Sequence, residues 1–255
     1  MRKENYMAAK DIILAIDIGN TNITMSTHDG FDWGEVVRVK TKTKTSVMDC
    51  LKKIEAMKFT NSVISSVVPN ITGSIVEGVR KISGKDPVVV GIDIETGLDK
   101  DSIPPEIGSD ILCNLIAAHS MYPSEYVMVA DFGTAFTTET VSPEGKVLGV
   151  TIGPGMMTSV KALFESAAQI PQIRLDIPST ALGRDTVSSI RAGVVYGFMG
   201  QLVGIVNQVE KEIGHKLVVI ATGGFSKYLE GYIYVNKADV KHTLEGARIA
   251  CLLNS

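Results

Sequence analysis

The sequence predicts an α/β protein built from two similar lobes with a cleft between them. An apolar strand ending in Asp-x-Gly occurs twice, as Leu14-Ala-Ile-Asp17-Ile-Gly19-Asn20-Thr21-Asn22 and as Met128-Val-Ala-Asp131-Phe-Gly133-Thr134-Ala135-Phe136. Each copy starts a run of three strands that is followed by alternating helices and strands. Ligands of such sheets bind at the carboxyl ends of the strands, where Asp17 and Asp131 lie.

The spacing of apolar residues predicts the strands and helices of the first lobe, which we place at residues 11–120. Apolar residues over 12–18 predict a buried strand, 22–27 its hairpin partner, and 33–40 a third strand. The pattern then predicts a helix over 47–57, a strand over 62–68, a helix capped by Asn70 or Thr72 that ends near Ile82, a strand over 87–92 and a helix over 107–121. Two prolines in 97–105 exclude a helix there and predict a rigid loop.

The second lobe, placed at residues 121–255, repeats the opening. Three strands over 126–131, 136–141 and 146–152 are predicted, with a turn at 143–145. A Gly153-Pro-Gly155 corner then leads into a helix that ends near Ala168, and a long helix covers 186–213. A strand over 217–221 ends in Thr222-Gly223-Gly224, and an amphipathic helix over 243–253 closes the chain.

Composition restricts the class of protein. Hydrophobic residues make up 45% of the 255 residues and charged residues 21%, which is typical of a folded globular protein. The net charge of -3 gives no electrostatic case for nucleic acid, so we expect no nucleic-acid partner. The three cysteines have no metal spacing, and the sequence shows neither a signal peptide nor an uninterrupted apolar run of bilayer length. We therefore expect a cytoplasmic protein without a membrane partner.

The repeated hairpin suits phosphate chemistry. Glycines 19 and 133 allow a tight turn and a close approach of backbone N–H groups to a phosphate, and Asn20, Thr21 and Thr134 add neutral donors. The aspartate of each copy can hold a cation that in turn binds phosphate. A single Asp-x-Gly is also a common β-turn, but turn chemistry alone does not require a repeat.

Three motifs together carry a resemblance to a known family. Asp17-Ile-Gly-Asn-Thr21, Asp131-Phe-Gly-Thr-Ala135 and Ala221-Thr-Gly-Gly224 resemble the phosphate and adenosine elements of the actin, sugar kinase and Hsp70 superfamily. More closely, the chain resembles type III pantothenate kinases. The supporting stretches are Ser65-Ser-Val-Val-Pro69, Gly108-Ser-Asp110, Asn114, Ala117-Ala118, Gly153-Pro-Gly155, Ala162-Leu-Phe164, Ala167-Ala168, Gly183-Arg-Asp-Thr186 and Thr243-Leu-Glu-Gly246.

The resemblance implies two duplicated ribonuclease-H-like lobes of the actin-like ATPase type and an ATP-dependent phosphorylation of pantothenate, the first step toward coenzyme A. It implies that Asp110 is the base that accepts the hydroxyl proton of the acceptor. A carboxylate on the turn entering a helix is held rigidly, which suits in-line phosphoryl transfer. Alternatively, Asp110 is a helix-start residue that the helix dipole stabilises.

The resemblance also implies the other site residues. Asp17 would organise magnesium, and Asp131 would hold a monovalent cation, K⁺ or NH₄⁺. ATP and its phosphates would contact Asp17, Gly19, Asn20, Thr21, Asn22, Gly133 and Thr134, with Gly223 and Gly224 under the adenosine. Pantothenate would contact Gly108, Ser109, Asp110 and, across the interface of a homodimer, Thr186. The glycine-lined helix face around Gly193 and Gly197 fits such an interface or close packing within the chain.

Three departures from the family pattern fall on the acceptor side. Ile111 stands where an arginine usually follows the catalytic aspartate, Asp101 lies near the place of an expected tyrosine, and Arg184-Asp185 precedes Thr186 where Gly-x-Asn-Thr is common. Losing the guanidinium removes a fork of hydrogen-bond donors. Besides a working pantothenate kinase, two alternatives therefore stay open: a non-catalytic nucleotide- or pantothenate-binding relative with a regulatory role, and a kinase of the same fold for another small hydroxylated acceptor.

Overall fold

The computed structural model describes residues 11–166, 175–232 and 234–255, which fold into two compact units. The first unit takes the described residues up to Ser120 together with His242–Ser255, and the second takes Met121–Lys241. The described strands are β1 (Ile13–Ile18), β2 (Asn22–His28), β3 (Val37–Lys40), β4 (Asn61–Ser66), β5 (Val88–Val89), β6 (Val127–Phe132), β7 (Ala135–Val141), β8 (Val147–Pro154), β9 (Val218–Thr222) and β10 (Lys237–Ala238). The described α-helices are α1 (Ser46–Glu55), α2 (Pro69–Ser83), α3 (Ser109–Met121), α4 (Met156–Ser166), α5 (Thr186–Ile213) and α6 (His242–Leu253).

Each unit is built on a five-stranded sheet, and the two sheets have the same topology. The strand order is β3-β2-β1-β4-β5 in the first unit and, read from the other edge, β8-β7-β6-β9-β10 in the second. In both sheets the first three strands are antiparallel neighbours, and the remaining two run parallel to the central strand. This confirms the predicted duplication of an α/β lobe.

The register places a carboxylate at equivalent positions of the two sheets. Asp17 is the penultimate residue of β1 and lies opposite Thr24 of β2 and Ser65 of β4. Asp131 holds the same position in β6, opposite Thr137 of β7 and Thr222 of β9. In both units a hydroxyl-bearing residue of the parallel neighbour strand therefore stands beside the aspartate.

Strand alternation separates the core of the first unit from its polar site. Leu14, Ile16 and Ile18 of β1 belong to an apolar cluster with Cys50 and Ile54 of α1 and with residues of α2. Asp17 alternates with these side chains and points to the opposite face of the sheet. On that face α6 packs against β1 and β4.

The core of the second unit forms between its sheet and α5. Phe132 and Phe136 of the sheet pack in one cluster with Phe198, Met199 and Leu202 of α5. By length and composition α5 could cross a membrane, and it is the one described helix that meets this criterion. One such helix is weak evidence for a membrane span, and α5 contributes several apolar side chains to this cluster.

The C-terminal helix differs from its sequence assignment. The sequence placed residues 243–253 in the second lobe, whereas α6 belongs to the first unit and lies against β1 and β4. The reason is long-range packing, because Gly246 allows α6 to approach the backbone of α3 at Cys113 so closely that an added Cβ would overlap the Cys113 carbonyl oxygen.

Smaller differences concern the ends of elements. The helix predicted to start at Asn70 or Thr72 begins at Pro69, because proline is well suited to the first helical position, where its missing N–H is not needed. Strands β3 and β5 are shorter than predicted, β10 was not predicted, and a short 3₁₀ turn at Lys100–Ser102 interrupts the expected loop. The predicted continuation of α4 to Ala168 lies outside the described residues.

Candidate functional site

The hairpin between β1 and β2 presents its polar tip to solvent. The Gly19 N–H donates to the Asn22 carbonyl at 3.0 Å, which closes the turn. From outside the hairpin, Thr41 donates its hydroxyl to the Gly19 carbonyl at 2.7 Å and its N–H to the Thr21 carbonyl at 3.0 Å. The side chains of Asn20 and Thr21 are exposed. Thr41 thus holds the backbone of the hairpin, while the side chains of Asn20 and Thr21 lie at the surface.

Limited space favours glycine at position 19. Gly19 does not have a positive φ, so the left-handed conformation is not the reason for a glycine. A Cβ at this position would lie 3.2 Å from the Asn22 carbonyl oxygen, tighter than an ordinary van der Waals contact.

A group of serines connects Asp17 to the start of α3. The Ser65 hydroxyl donates to Asp17 Oδ1 at 3.2 Å and lies 3.1 Å from the Ser109 hydroxyl oxygen. The Ser66 N–H donates to the same Ser109 oxygen at 2.7 Å. Ser65 and Ser109 are both buried, so the partners of the Ser109 hydroxyl lie inside the protein.

Asp110 lies in the first turn of α3, next to these serines. Its carboxylate accepts a hydrogen bond from the Ile111 N–H at 2.8 Å, and burial raises the pKa of Asp110 above its ordinary value of 3.8. A Cβ on Gly108 would lie 2.6 Å from Asp110 Oδ1, so the glycine provides the space that this carboxylate occupies. A carboxylate with a raised pKa is a better proton acceptor than an exposed one.

The two carboxylates of the first unit act on the same buried thiol. Burial raises the pKa of Cys113 well above its ordinary range, and the negative charges of Asp17 and Asp110 raise it further. Cys113 lies one turn after Ser109 in α3. The sheet and helix therefore bring Asp17 and the Gly108–Asp110 turn, which were named from the sequence, together with Ser65, which was not.

The second unit gathers its predicted residues around Asp131. A Cβ on Gly133 would lie 3.3 Å from Asp131 Oδ1, and a Cβ on Gly223 would overlap the same oxygen and lie 2.7 Å from the Phe132 carbonyl oxygen. Gly223 also has a φ of 85°, a conformation that favours glycine. These glycines allow two backbone segments to close around one carboxylate.

The start of α4 is joined to the second hairpin. The Gly155 N–H donates to the Thr134 carbonyl at 3.0 Å, and the Thr158 hydroxyl donates to the same oxygen at 2.6 Å. A Cβ on Gly155 would overlap the carbonyl oxygen of Gly133. The Gly133-Thr134 turn therefore sits directly at the N-terminus of α4, where backbone N–H groups and the helix dipole favour an anion.

Two predicted residues lie apart from these contacts. Gly224 follows Gly223, and a Cβ added there meets no atom within 4 Å, so open space adjoins the backbone. Thr186 is the exposed first residue of α5, after Asp185, whose side chain caps the helix by accepting from the Ser188 N–H at 2.9 Å. Asp185 thus has a structural role in a position that departs from the family pattern.

The donor atoms fit cations that are shared with a substrate. No three His, Cys, Asp or Glu side chains among the described residues form a cluster that could hold a metal by themselves. Mg²⁺ in phosphoryl transfer is bound by one or two carboxylates together with substrate phosphates and water. Asp17 can provide one such carboxylate. Near Asp131 the available ligands are oxygens, namely its carboxylate and the Phe132 carbonyl, which both lie beside Gly223 and suit a hard cation.

Three residues with a clear place in these contacts were not singled out from the sequence as site residues: Thr41, Ser65 and Gly155. Ser65 and Gly155 fall in stretches that supported the family resemblance, but a serine at the end of a strand and a glycine before a helix have many uses. The sequence duplication could have pointed to Ser65, because Ser65 lies beside Asp17 at the register position that Thr222 takes beside Asp131.

Comparison of the sequence with known proteins gives one consistent family. A family model described as type III pantothenate kinase matches residues 13–208. The chain is 34% identical over 250 residues to a type III pantothenate kinase of Moorella thermoacetica, covering 93% of this chain and 98% of that protein. It is 36% identical over 256 residues to the enzyme of the same name from Dictyoglomus turgidum, covering 95% of this chain and 100% of that protein.

Solved structures agree in fold. A Baf family protein from Campylobacter jejuni matches with a TM-score of 0.57 at 18% identity, covering 93% of this chain and 96% of that chain. Component A of (R)-2-hydroxyglutaryl-CoA dehydratase from Acidaminococcus fermentans matches with a TM-score of 0.51 at 16% identity, covering 95% and 96%. At these identities the matches show the shared fold alone.

Proposed function

This chain belongs to the type III pantothenate kinase family, and we propose that it uses Asp110 as the base in phosphorylating pantothenate with ATP. The reaction is a phosphotransfer to an alcohol and the first step of coenzyme A biosynthesis. The observation that carries the residue assignment is the joining of Asp17 to the turn of Asp110 through Ser65 and Ser109.

Asp110 takes the proton of the acceptor. As the primary hydroxyl oxygen of pantothenate bonds to the terminal phosphorus of ATP, the bond from that phosphorus to the oxygen of ADP breaks, and the hydroxyl proton passes to the Asp110 carboxylate. The raised pKa of Asp110 supports this role, because a more basic carboxylate accepts a proton more readily. Positioning matters at least as much as basicity in this chemistry.

The first unit binds the phosphates of ATP through its hairpin. Gly19, Asn20, Thr21 and Asn22 supply N–H, amide and hydroxyl groups, and Asp17 holds the divalent metal through carboxylate oxygen. When bound, that metal neutralises charge on the phosphate oxygens. The exposure of Asn20 and Thr21, together with the Thr41 contacts that fix their backbone, supports this assignment.

The second unit contributes Gly133 and Thr134 to phosphate binding, and Gly223 and Gly224 to a surface under the adenosine. The open space beside Gly224 supports the latter, because a side chain there would occupy the surface that a flat ring needs. Asp131 holds a monovalent cation, K⁺ or NH₄⁺, and the backbone oxygen near its carboxylate supports this role.

Pantothenate contacts Gly108, Ser109 and Asp110 of one protomer and Thr186 of the partner subunit, which makes the active species a homodimer. Cβ atoms added to Gly193, Gly197, Gly200 and Gly204 of α5 meet no atom within 4 Å, so the described part of the same chain does not pack closely on these glycines. Sedimentation or light scattering at micromolar concentration should give a dimer mass, whereas a monomer that turns over would refute this role of Thr186.

The cytoplasm is the compartment that fits the thiols. Cys50, Cys113 and Cys251 are all free and buried, which suits a reducing environment.

The test of function is pantothenate-dependent ADP release in the presence of Mg²⁺. We expect release that requires pantothenate and is faster with K⁺ than with Na⁺. Because Ile111 replaces the usual arginine, a panel of small hydroxylated compounds should be run in parallel. Turnover with another acceptor but not with pantothenate would favour a kinase of different specificity, and ATP binding without any turnover would favour a non-catalytic relative.

A further inference from the structure

Hydrogen bonds of fixed direction link β4 to the start of α3. A carboxylate oxygen accepts, so the single Ser65 proton goes to Asp17 Oδ1, 3.2 Å away. The 3.1 Å contact between the two serine hydroxyls must then use the Ser109 proton. Ser109 Oγ in turn accepts from the Ser66 N–H at 2.7 Å. The result is one directed chain from the Ser66 N–H through the Ser109 and Ser65 hydroxyls to Asp17.

This chain, which we name the serine chain, is buried, and its Ser65 hydroxyl also lies within hydrogen-bond reach of the buried Cys113 thiol. Ser65 is 0% exposed and Ser109 is 8% exposed, so water competes little for their hydroxyls. Within the serine chain each hydroxyl donates once and accepts once, so its bonds point in the same direction and strengthen one another. A hydroxyl removed from the middle would leave the neighbouring polar atoms without their partners inside the protein, which costs more than the bond itself.

The serine chain joins two elements that are far apart in sequence. Ser65 ends β4, next to Asp17 of β1, and Ser109 opens α3 directly before Asp110. The first turn of α3 is therefore fixed to the sheet by side chains, in addition to its packing. We infer that Ser65 is a positioning residue for phosphoryl transfer, whose hydroxyl holds Asp17 and the Asp110 turn in one fixed arrangement. The inference rests on the proposed function of these two carboxylates.

The duplication gives independent support for a hydroxyl at this position. In the second sheet Thr222 stands beside Asp131 at the register position that Ser65 takes beside Asp17, and it is equally buried. Since the strand geometry is the same, a threonine can occupy this position of the sheet. This observation also supplies the conservative replacement for the experiment.

The experiment compares Ser65→Ala, Ser65→Thr and the control Ser26→Ala. Ser26 is a buried serine of the same sheet whose hydroxyl donates to the Gly34 carbonyl at 3.1 Å, away from Asp17. We expect Ser65→Ala to lower kcat by about 10-fold to 100-fold, as for other residues that orient a metal-binding carboxylate, with the KM for pantothenate little changed. Ser65→Thr should retain most of the activity, and Ser26→Ala should match the wild type.

A second readout does not depend on turnover. Hydrogen exchange of the Ser66 amide and of the first amides of α3 should speed up in Ser65→Ala and not in Ser26→Ala, because the former loses the partner of Ser109. Affinity for a non-hydrolysable ATP analogue with Mg²⁺ should fall in Ser65→Ala, while the melting temperature reports whether the variant is folded.

A double variant completes the test. Ser65→Ala and Ser109→Ala break the same chain, so the double variant should be hardly slower than either single variant. Wild-type kcat and wild-type exchange in Ser65→Ala, or rate losses that multiply in the double variant, would overturn the inference. If the wild-type protein and Ser26→Ala both fail to turn over pantothenate, the proposed function fails instead, and the exchange data still decide whether the serine chain holds α3.

Discussion

At the scale of single residues, Asp110 has an environment that makes its titration measurable. Burial raises the pKa of Asp110 above 3.8, although the Ile111 N–H bond opposes this shift. A base works only when deprotonated, so kcat/KM should fall as the pH drops through this raised pKa, with an inflection above 3.8. The affinity for an ATP analogue, measured in the same buffers, should lack this inflection. An acid limb at or below the ordinary carboxylate value would contradict the assignment.

The same carboxylate should cost the protein stability at neutral pH. A raised pKa in the folded state means that folding favours the protonated form, so the ionised form is destabilising above the folded pKa. Asp110→Asn keeps the acceptor for the Ile111 N–H and removes the buried charge. We therefore expect a melting temperature higher by on the order of 2–4 °C at neutral pH, measured by calorimetry. The difference should shrink as the pH falls from the raised pKa toward 3.8, and a constant difference would show that charge is not its cause.

Gly108 offers a direct test of how tightly the Asp110 carboxylate is placed. A Cβ at Gly108 would lie 2.6 Å from Asp110 Oδ1, and the carboxylate is the movable partner of the two. Gly108→Ala should therefore push the Asp110 carboxylate away from its present position while the fold persists. We expect kcat to fall by up to about 100-fold. Steady-state kinetics beside a melting curve separates the two effects. Unchanged kcat in a folded Gly108→Ala protein would mean that the carboxylate position is not critical.

At the scale of elements, the crossing of α3 and α6 holds the first unit together around Asp110. The Thr243 hydroxyl donates to Asn114 Oδ1 at 2.8 Å, and Asn114 is 1% exposed. A ring nitrogen of His242 lies 3.2 Å from the Asn114 carbonyl oxygen, and Gly246 allows the helix backbones to meet at Cys113. Packing and hydrogen bonds thus fix the helix that carries the base from both its start and its middle.

This crossing predicts a strong effect of one methyl group. Gly246→Ala would place a Cβ into the backbone carbonyl of Cys113, which cannot move without shifting α3, so we expect a loss of about 3 kcal/mol or more in unfolding free energy. Gly73→Ala is the matched control, because Gly73 lies inside α2 with no atom within 4 Å of an added Cβ. The control should gain about 0.5–1 kcal/mol from helix propensity. Chemical denaturation of both variants measures the contrast, and equal stabilities would show that the crossing is looser than the structure has it.

At the scale of the whole molecule, the duplicated architecture was predictable because its signal is local. The Asp-x-Gly hairpins, the change from strand to helix period and the 28-residue α5 are each visible in a short window of sequence. The hairpin pairing of β1 with β2 was also predicted, whereas the order of the remaining strands was not. The candidate site residues around Asp17, Asp110 and Asp131 could be named from the sequence because their motifs are contiguous, and their roles stay predictions.

The remainder depends on contacts between distant segments. The assignment of α6 to the second lobe was wrong because its packing on β1 and β4 is decided by Gly246 and its partner helix, not by its own amphipathic pattern. Strand β10 consists of two residues paired to β9, too few to show a period. The role of Ser65 depends on the register between β1 and β4 and on the position of Ser109 in space, neither of which a motif encodes.

The most direct test of Asp110 as the base compares the wild-type protein with Asp110→Asn in the presence of pantothenate, ATP, Mg²⁺ and K⁺. Mass spectrometry measures the phosphorylated pantothenate that each protein forms. We expect product from the wild type and a loss of at least about 1,000-fold in the variant, which combines the loss of a general base with altered charge at the acceptor. The variant should still bind ATP with nearly wild-type affinity, since Asp110 is assigned to the acceptor. Product formation at the wild-type rate by Asp110→Asn would contradict the assignment of Asp110 as the base.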